Sequence, residues 1–296
     1  LAMALIHVII EENLVDRDYV ERYTLGFDEL AARAKARTPE WAADITGIPA
    51  ADIRQLAREY AAAKPAAIRI GVALERHHGG GQTIRAVCCL PGLTGAWREV
   101  GGGILAMPVW EHPYRFDVIC RPDWIPKGTR VVNNLQIGRH LTNEIPMDPP
   151  IKAMMCWNSN PVTQAPECDK IVKGLLREDL FLVVADHFIS DTASYADIVL
   201  PAAMGAEMED IILSWGHNYL TYNEKCVEPP GEALSNYEIF RRLAAHMGYT
   251  DPQFSWSDSE CLEHYVAWDA AACDGFDLAY LREHGYAHLS IGGADD

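Results

Sequence analysis

The chain alternates between segments with helical hydrophobic spacing and short apolar runs of the kind that form buried strands. Helical spacing covers 1–12, 16–23, 28–36, 49–64, 82–93 and 168–177, and it returns after residue 235. Apolar runs occupy 66–74, 152–157, 180–185 and 196–201. The order strand, helix, strand predicts parallel pairing with right-handed crossovers. The pattern therefore predicts an α/β fold in which helices flank a parallel sheet.

Local signals mark several ends of these helices. Asp16 and Asp28 stand where N-cap residues are expected, and Pro91 is expected to end or kink the helix over 82–93. Two predicted capping boxes precede apolar helices near the end of the chain, Ser235-x-x-Glu238 and Ser257-x-x-Glu260. Between these regions, residues 101–150 are rich in Gly, Pro and Trp and predict a long irregular segment.

Composition and charge exclude several classes of protein. The 296 residues carry a formal charge of −17, which repels phosphate backbones and argues against nucleic-acid binding. The longest apolar run, near residues 1–10, is too short to span a membrane. The eight cysteines include no Cys-x-x-Cys pair, so we expect free thiols in a reducing compartment and no metal held by side chains of this chain.

Three polar loops follow the predicted strands. The first is Asn158-Ser159-Asn160-Pro161, the second runs over 186–192, and the third runs over 201–207. No P-loop, Gly-x-Ser-x-Gly elbow or Gly-x-Gly-x-x-Gly fingerprint is found, so any nucleotide must be held differently. A carboxylate at a strand end can accept hydrogen bonds from guanine N1–H and N2–H₂ while amides read O6. The alternative is that these residues only make turns and caps.

Arg85 lies on the helix after the glycine loop of 79–81, and His77 and His78 precede that loop. Taken alone, Arg85 is expected to be a surface arginine or a salt-bridge partner, and the two histidines are expected to be solvent-exposed.

The order of these pieces resembles the molybdopterin oxidoreductases of the dimethyl sulfoxide reductase and formate dehydrogenase type. The similar strings are IHVIIEENLVDRDYVERYTLGFDEL (6–30), TIRAVCCLPGLTGAWREVGGGIL (83–105), CWNSNPV (156–162), LFLVVADHFISDTASYADIVLPAA (180–203) and PPGEALSNYEIFRRLAAHMGY (229–249). The resemblance implies parallel Rossmann-like sheets within an incomplete multi-domain core. It also implies three parts: a partial α/β domain over 1–85, a Rossmann-like domain over 86–204 that binds the pterin dinucleotide, and a mainly helical segment over 205–296.

The same resemblance implies roles for individual residues. Asp186 would read guanine, Arg85 would orient the substrate as a catalytic residue, and His78 would line the same pocket. Glu207 corresponds to a family glutamate, although Glu207-Met208-Glu209-Asp210 departs from the usual Glu-x-Glu-Gly. The cofactor-binding residues implied are Asn158, Ser159, Asn160, Pro161, Asp186, His187, Asp191, Thr192, Asp197 and Glu207.

For the whole protein, the resemblance implies two molybdopterin guanine dinucleotides with molybdenum or tungsten, and a 4Fe–4S cluster outside this chain. The activity would be two-electron redox chemistry or oxygen-atom transfer on a small substrate, including an anion. We expect this chain to be the central part of a catalytic subunit and inactive alone. Its partners would be the missing amino- and carboxyl-terminal parts and an electron-transfer subunit. A cytoplasmic location is expected, with the periplasm left open.

Two other hypotheses remain at this point. The chain could be a binding module that takes up a guanine nucleotide or part of a pterin dinucleotide. It could instead be an inactive structural or assembly subunit. Retained nucleotide favours the first hypothesis, and self-association favours the second because a truncated sheet exposes its edges.

Overall fold

The computed structural model describes residues 1–107 and 109–292, which form two compact units separated near residue 108. The helices are α1 (Ala2–Glu11), α2 (Arg17–Tyr23), α3 (Phe27–Ala34), α4 (Pro39–Thr46), α5 (Ala50–Ala62), α6 (Gly80–Thr94), α7 (Phe116–Cys120), α8 (Ile137–Leu141), α9 (Pro161–Gln164), α10 (Cys168–Leu175), α11 (Asn236–Met247), α12 (Asp258–Tyr265) and α13 (Leu278–His284). The strands are β1 (Ala67–Arg69), β2 (Gly103–Leu105), β3 (Ala153–Trp157), β4 (Phe181–Asp186), β5 (Ile198–Pro201), β6 (Asp210–Leu213), β7 (Tyr219–Asn223) and β8 (Tyr286–His288).

The first unit is a helical layer beside a short parallel pair, β1 and β2. Ile6 and Ile9 of α1 are fully buried and pack in one core with Ile53 of α5. Because α1 is apolar on several faces, it is surrounded by the neighbouring helices rather than lying on the surface.

In this unit one predicted N-cap is wrong, and the first of the two alternatives for Pro91, that it ends or kinks its helix, is excluded. Asp16 caps α2 by accepting from the backbone N–H of Tyr19, as predicted, but Asp28 is not a cap. Gly26, with φ of 81°, stands at the N-cap of α3, and Asp28 lies in the first turn, where its charge favours the helix dipole. Pro91 does not end α6, which continues to Thr94.

The second unit contains the predicted parallel sheet, in the order β3-β4-β5. The connection from β3 to β4 carries α9 and α10. Cys156, Leu182 and Val184 point to the face that α8 and α10 cover, and all three are buried. The prediction of a mixed α/β fold with parallel sheets and flanking helices is confirmed.

The second unit also contains an antiparallel sheet that the sequence pattern did not predict, in the order β6-β7-β8. Ile211, Leu220 and Ala287 bury one face of this sheet against Leu262 and Leu281. Strands of three to five residues leave too short an alternation to detect in the sequence.

The two predicted capping boxes have different outcomes. Ser257 and Glu260 form a complete box at α12, because each side chain reaches the other residue's backbone N–H. At α11 only half of the box forms: Ser235 accepts from the N–H of Glu238, whose carboxylate instead pairs with Arg241 and Arg242.

Within the described residues, no helix is both long enough and apolar enough to cross a membrane. The predicted three-part division into 1–85, 86–204 and 205–296 stays a prediction.

Candidate functional site

The candidate site is the edge of the parallel sheet where its strands end. In the register of the sheet, Trp157 of β3 lies opposite Ala185 of β4, and Asp186 lies opposite Pro201 of β5. The loops over 158–161, 186–192 and 201–207 therefore leave the sheet at one edge. Polar loops at this edge are the usual place for ligands in α/β sheets.

The first loop is a tight turn whose conformation is held by side chains. Asn158 has φ of 53°, a left-handed conformation that asparagine tolerates better than most residues. The buried thiol of Cys156 donates to the carbonyl of Ser159 (3.0 Å), and burial, together with the Asp186 charge, raises the pKa of that thiol. Pro161 begins the short helix α9. The loop therefore presents its polar groups from a fixed backbone.

The second loop is organised around Asp186, the last residue of β4. Its carboxylate accepts from the hydroxyl of Ser190 (2.7 Å) and from the N–H of Phe188 (3.4 Å). Burial raises the pKa of Asp186, but these hydrogen bonds and His187 outweigh it, so that the pKa lies below the ordinary value of aspartate. Asp186 is therefore an ionised acceptor at neutral pH.

Asn160 of the first loop and Thr192 of the second are joined by hydrogen bonds. Oδ1 of Asn160 accepts from the hydroxyl (2.6 Å) and from the backbone N–H (3.1 Å) of Thr192. In turn, the hydroxyl of Thr192 accepts from the N–H of Val162 (3.2 Å). These bonds hold the two loops in one arrangement.

The third loop leads into an acidic cleft of about 750 Å³. Glu207 lines it and accepts from the N–H of Met204 (2.8 Å), which closes a turn. The other charged residues that line the cleft are Glu209, Glu224, Lys225, Glu228, Glu238, Arg241 and Asp258.

Of three further predicted binding residues, two are exposed on the second loop and one lies away from the three loops. Asp197 precedes β5 and accepts from the N–H of Leu182 near the start of β4 (2.7 Å), so it lies at the opposite edge of the sheet. The side chains of His187 and Asp191 are exposed on the second loop, and the ring of His187 meets that of Phe188 edge-on. The structure therefore does not bring Asp197 together with the three loops.

In the first unit, Arg85 lies on the exposed side of α6, beside a cleft of about 220 Å³. Among the described residues it makes no hydrogen bond or ion pair, although the chain carries 42 carboxylates. Burial raises the pKa of the neighbouring Cys89 thiol, and the Arg85 charge opposes that rise. The rest of the cleft is mainly apolar, and its lining includes Val20, Phe27, Leu30 and Leu93.

His77 and His78 are exposed in the turn before α6. Gly80 lets that turn fold tightly, because a Cβ at this position would lie 2.5 Å from the carbonyl oxygen of Leu74. The turn thus sets where α6 begins, and Arg85 lies within the second turn of the helix.

Sequence reasoning missed two residues that shape the loops. Ser190 lies four positions after Asp186, and that spacing was a detectable signal. Gln164 accepts from the N–H of Asn160 (2.9 Å), but it lies in α9, which the sequence pattern did not predict.

Among residues 1–107 and 109–292, no three His, Cys, Asp or Glu side chains form a group that could hold a metal ion. The polar groups of the sheet edge suit an organic ligand with both donors and acceptors.

A family model and two proteins of known sequence are similar to this chain over most of its length. The family model described as molybdopterin oxidoreductase matches residues 1–246. The probable oxidoreductase YoaE of Bacillus subtilis is 40% identical over 291 residues, which are 98% of this chain and 41% of that protein. Formate dehydrogenase H of Escherichia coli is 30% identical over 263 residues, covering 82% of this chain and 36% of that protein.

A solved structure is similar as well. The acetylene hydratase from Pelobacter acetylenicus superimposes with a TM-score of 0.74 and 25% identity, over 97% of this chain and 44% of that one. The chain thus spans about two fifths of the length of the relatives that it matches.

Proposed function

The chain belongs to the molybdopterin oxidoreductase family, and on that premise we propose that its parallel sheet anchors the guanosine end of a molybdopterin guanine dinucleotide. YoaE and formate dehydrogenase H are named as an oxidoreductase and a dehydrogenase, and the family implies molybdopterin with molybdenum or tungsten. The observation that carries the proposal is the ionised carboxylate of Asp186 at an edge where three polar loops meet.

The residues at this edge fit such a ligand. Asp186 offers oxygen acceptors to guanine N1–H and N2–H₂, and the amides of Asn158 and Asn160 offer donors. Ser159, Pro161, His187, Asp191, Thr192 and Glu207 complete the proposed set, of which some contact the ligand and others hold the loops. Asp197 is left out because its carboxylate accepts a hydrogen bond from Leu182 at the opposite edge of the sheet.

Arg85 is the proposed substrate-orienting residue. In a chain of charge −17, an arginine without an ion pair among the described residues has its full guanidinium available for an incoming anion. This favours the anion-binding hypothesis over the hypothesis of a salt-bridge partner. His78, exposed in the preceding turn, is proposed to line the same pocket.

When bound, the cofactor supplies two-electron redox chemistry or oxygen-atom transfer on a small substrate. The residues of this chain bind the cofactor and orient the substrate. The sheet edge holds the nucleotide end of the cofactor, and Arg85 orients the anionic substrate. We propose two dinucleotides per complete protein, a 4Fe–4S cluster and an electron-transfer subunit outside this chain, and no turnover by this chain alone. The eight free thiols support a cytoplasmic location.

The test compares two carboxylate substitutions in the complete protein. We expect Asp186→Ala to lower acid-released GMP and the bound molybdenum or tungsten about tenfold, because the guanine donors lose an ionised acceptor. The control is Glu178→Ala, at an exposed carboxylate in the connection from α10 to β4. Unchanged GMP and metal in Asp186→Ala would refute the proposal.

A further inference from the structure

The bonds between the first two loops assign a role to a residue that no ligand can reach. We propose that Thr192 is a positioning residue that fixes the orientation of the Asn160 amide, so that Nδ2 of Asn160 donates to O6 of guanine. This inference rests on the proposed function, since it takes the guanosine end to lie at this edge of the sheet.

Thr192 is fully buried, with 0% of its surface exposed. Its hydroxyl donates to Oδ1 of Asn160 and accepts from the N–H of Val162, while its backbone N–H donates to the same Oδ1. The hydroxyl donor and the backbone N–H are therefore used inside the protein. Thr192 acts on a ligand through Asn160, not by contact.

The two donors of Thr192 decide which end of the Asn160 amide faces them. An amide oxygen accepts, whereas an amide nitrogen carries two N–H donors. If the amide were flipped, Nδ2 would meet the hydroxyl and the N–H of Thr192 at 2.6 and 3.1 Å, and the backbone N–H would lose its acceptor. Nδ2 must therefore occupy the other position of the amide.

The Nδ2 nitrogen of Asn160 is available to a ligand. Within the part of the chain that the structure describes, Nδ2 of Asn160 makes no hydrogen bond, and the residue is only partly buried. Asp186, on the loop joined to Asn160, supplies an ionised acceptor. Guanine presents an acceptor, O6, beside the donors N1–H and N2–H₂. Adenine presents an amino donor at position 6, which would face the N–H groups of Asn160.

The test is nucleotide selectivity, measured by titrating the full chain with GMP and with AMP. Thr192→Val removes the shorter of the two hydrogen bonds to Oδ1 at nearly constant volume, although the backbone N–H still donates, and it should weaken GMP binding about fivefold while AMP binding changes little. Thr192→Ser keeps the hydroxyl and should stay within about twofold of the parent. Thr163→Val is the matched control, because its exposed hydroxyl hydrogen-bonds, among the described residues, to the backbone carbonyl of Asn160 alone.

A second variant decides the question even if Thr192→Val does not fold. Asn160→Asp keeps an oxygen to accept from Thr192 but replaces the Nδ2 donor with an acceptor. We expect it to lose GMP binding by about tenfold or more without losing AMP binding.

The outcomes separate the two proposals. A parent chain that binds GMP no more tightly than AMP overturns the proposed function, and the inference falls with it. A parent chain that prefers GMP, with the same preference in Thr192→Val or in Asn160→Asp, overturns only the positioning role. An equal loss of GMP and AMP binding in folded Thr192→Val also overturns it, because the residue would then only support the loops.

Discussion

Asp186 is ionised because the loop that follows it donates hydrogen bonds to the charged form. Ser190 and the N–H groups of Phe188 and His187 hold its pKa below the ordinary value, against the effect of burial. Because the pKa in the folded protein is lowered, this contribution to stability is fully present above the unfolded pKa of about 4. It is lost as the pH falls through the lower folded value.

The affinity of the chain for GMP should depend on pH in the same way, through the ionisation of Asp186. We expect it to stay constant between about pH 8 and pH 5 and to fall only below about pH 4. Titrations at several pH values would check this, with Asp186→Asn as the comparison that removes the charge. A tenfold loss of GMP affinity already between pH 7 and pH 5 would contradict the role of Asp186.

Arg85 should matter for turnover and not for cofactor content. We expect Arg85→Lys in the complete protein to lower kcat/KM about tenfold or more, because an ammonium cannot bind an anion through a planar fork. Turnover would be measured with formate and with nitrate as test anions, alongside metal and GMP content. Arg33→Lys, at an exposed arginine of α3, is the control. An equal loss of metal would make Arg85 structural.

For single residues, the sequence predicted which positions are polar strand ends better than it predicted which residues hydrogen-bond to each other. The position of Asp186 after an apolar run was sufficient to predict a polar strand end, because strand ends follow from hydrophobic patterning. The role of Thr192 could not be predicted, because its partner Asn160 is 32 positions away and only the folded chain brings them together. Asp197 shows the converse: its place in a similar string does not reveal which edge of the sheet it faces, so its binding role stays a prediction.

Among the elements, the packing of α10 against α8 depends on a glycine. A Cβ at Gly174 would overlap the side chain of Leu141, which is itself buried. No rearrangement of a flexible side-chain end can relieve this overlap, because Cβ of Leu141 is the nearest atom.

We therefore expect Gly174→Ala to lower the free energy of unfolding by about 1–3 kcal/mol, despite the better helix propensity of alanine. Thermal and urea unfolding would measure the change. Gly205→Ala is the control, because a Cβ there meets no atom of the described residues within 4 Å. Equal stability of Gly174→Ala and the parent would show that α8 can move away from α10.

Elements that lie in a long periodic pattern or a continuous apolar run were predicted, and elements without either signal were not. Helix α5 and strands β3, β4 and β5 appear within two residues of their predicted bounds. Helix α9 has four residues and β8 has three, too few to establish a period. The incomplete box at α11 reflects competition, since Arg241 and Arg242 take the carboxylate that the box requires.

For the molecule as a whole, the main feature is that the second face of the parallel sheet exposes large apolar side chains. Met155, Val183 and Ile198 lie in one row across β3, β4 and β5, opposite the face that α8 and α10 cover. Phe181 and Ile198 on this face are 49% and 44% exposed. Parallel sheets are ordinarily covered on both faces, so this surface favours association.

We expect the 296-residue chain to self-associate as its concentration rises, and the double substitution Phe181→Gln, Ile198→Gln to reduce that association. Sedimentation velocity over a range of concentrations would measure it. Leu176→Gln is the control, because Leu176 is 65% exposed at the end of α10. A chain that stays monomeric at all concentrations would contradict the expectation.

The order β3-β4-β5 has a consequence for biosynthesis. These strands pair with their neighbours in sequence and lie within residues 153–201, whereas β8 must join β7 from more than 60 residues further along. Contacts that are close in sequence form faster than distant ones. As the chain leaves the ribosome, the sheet that bears Asn160 and Asp186 can therefore fold before β8 has been synthesised, and the nucleotide loops acquire their shape early in the life of the protein.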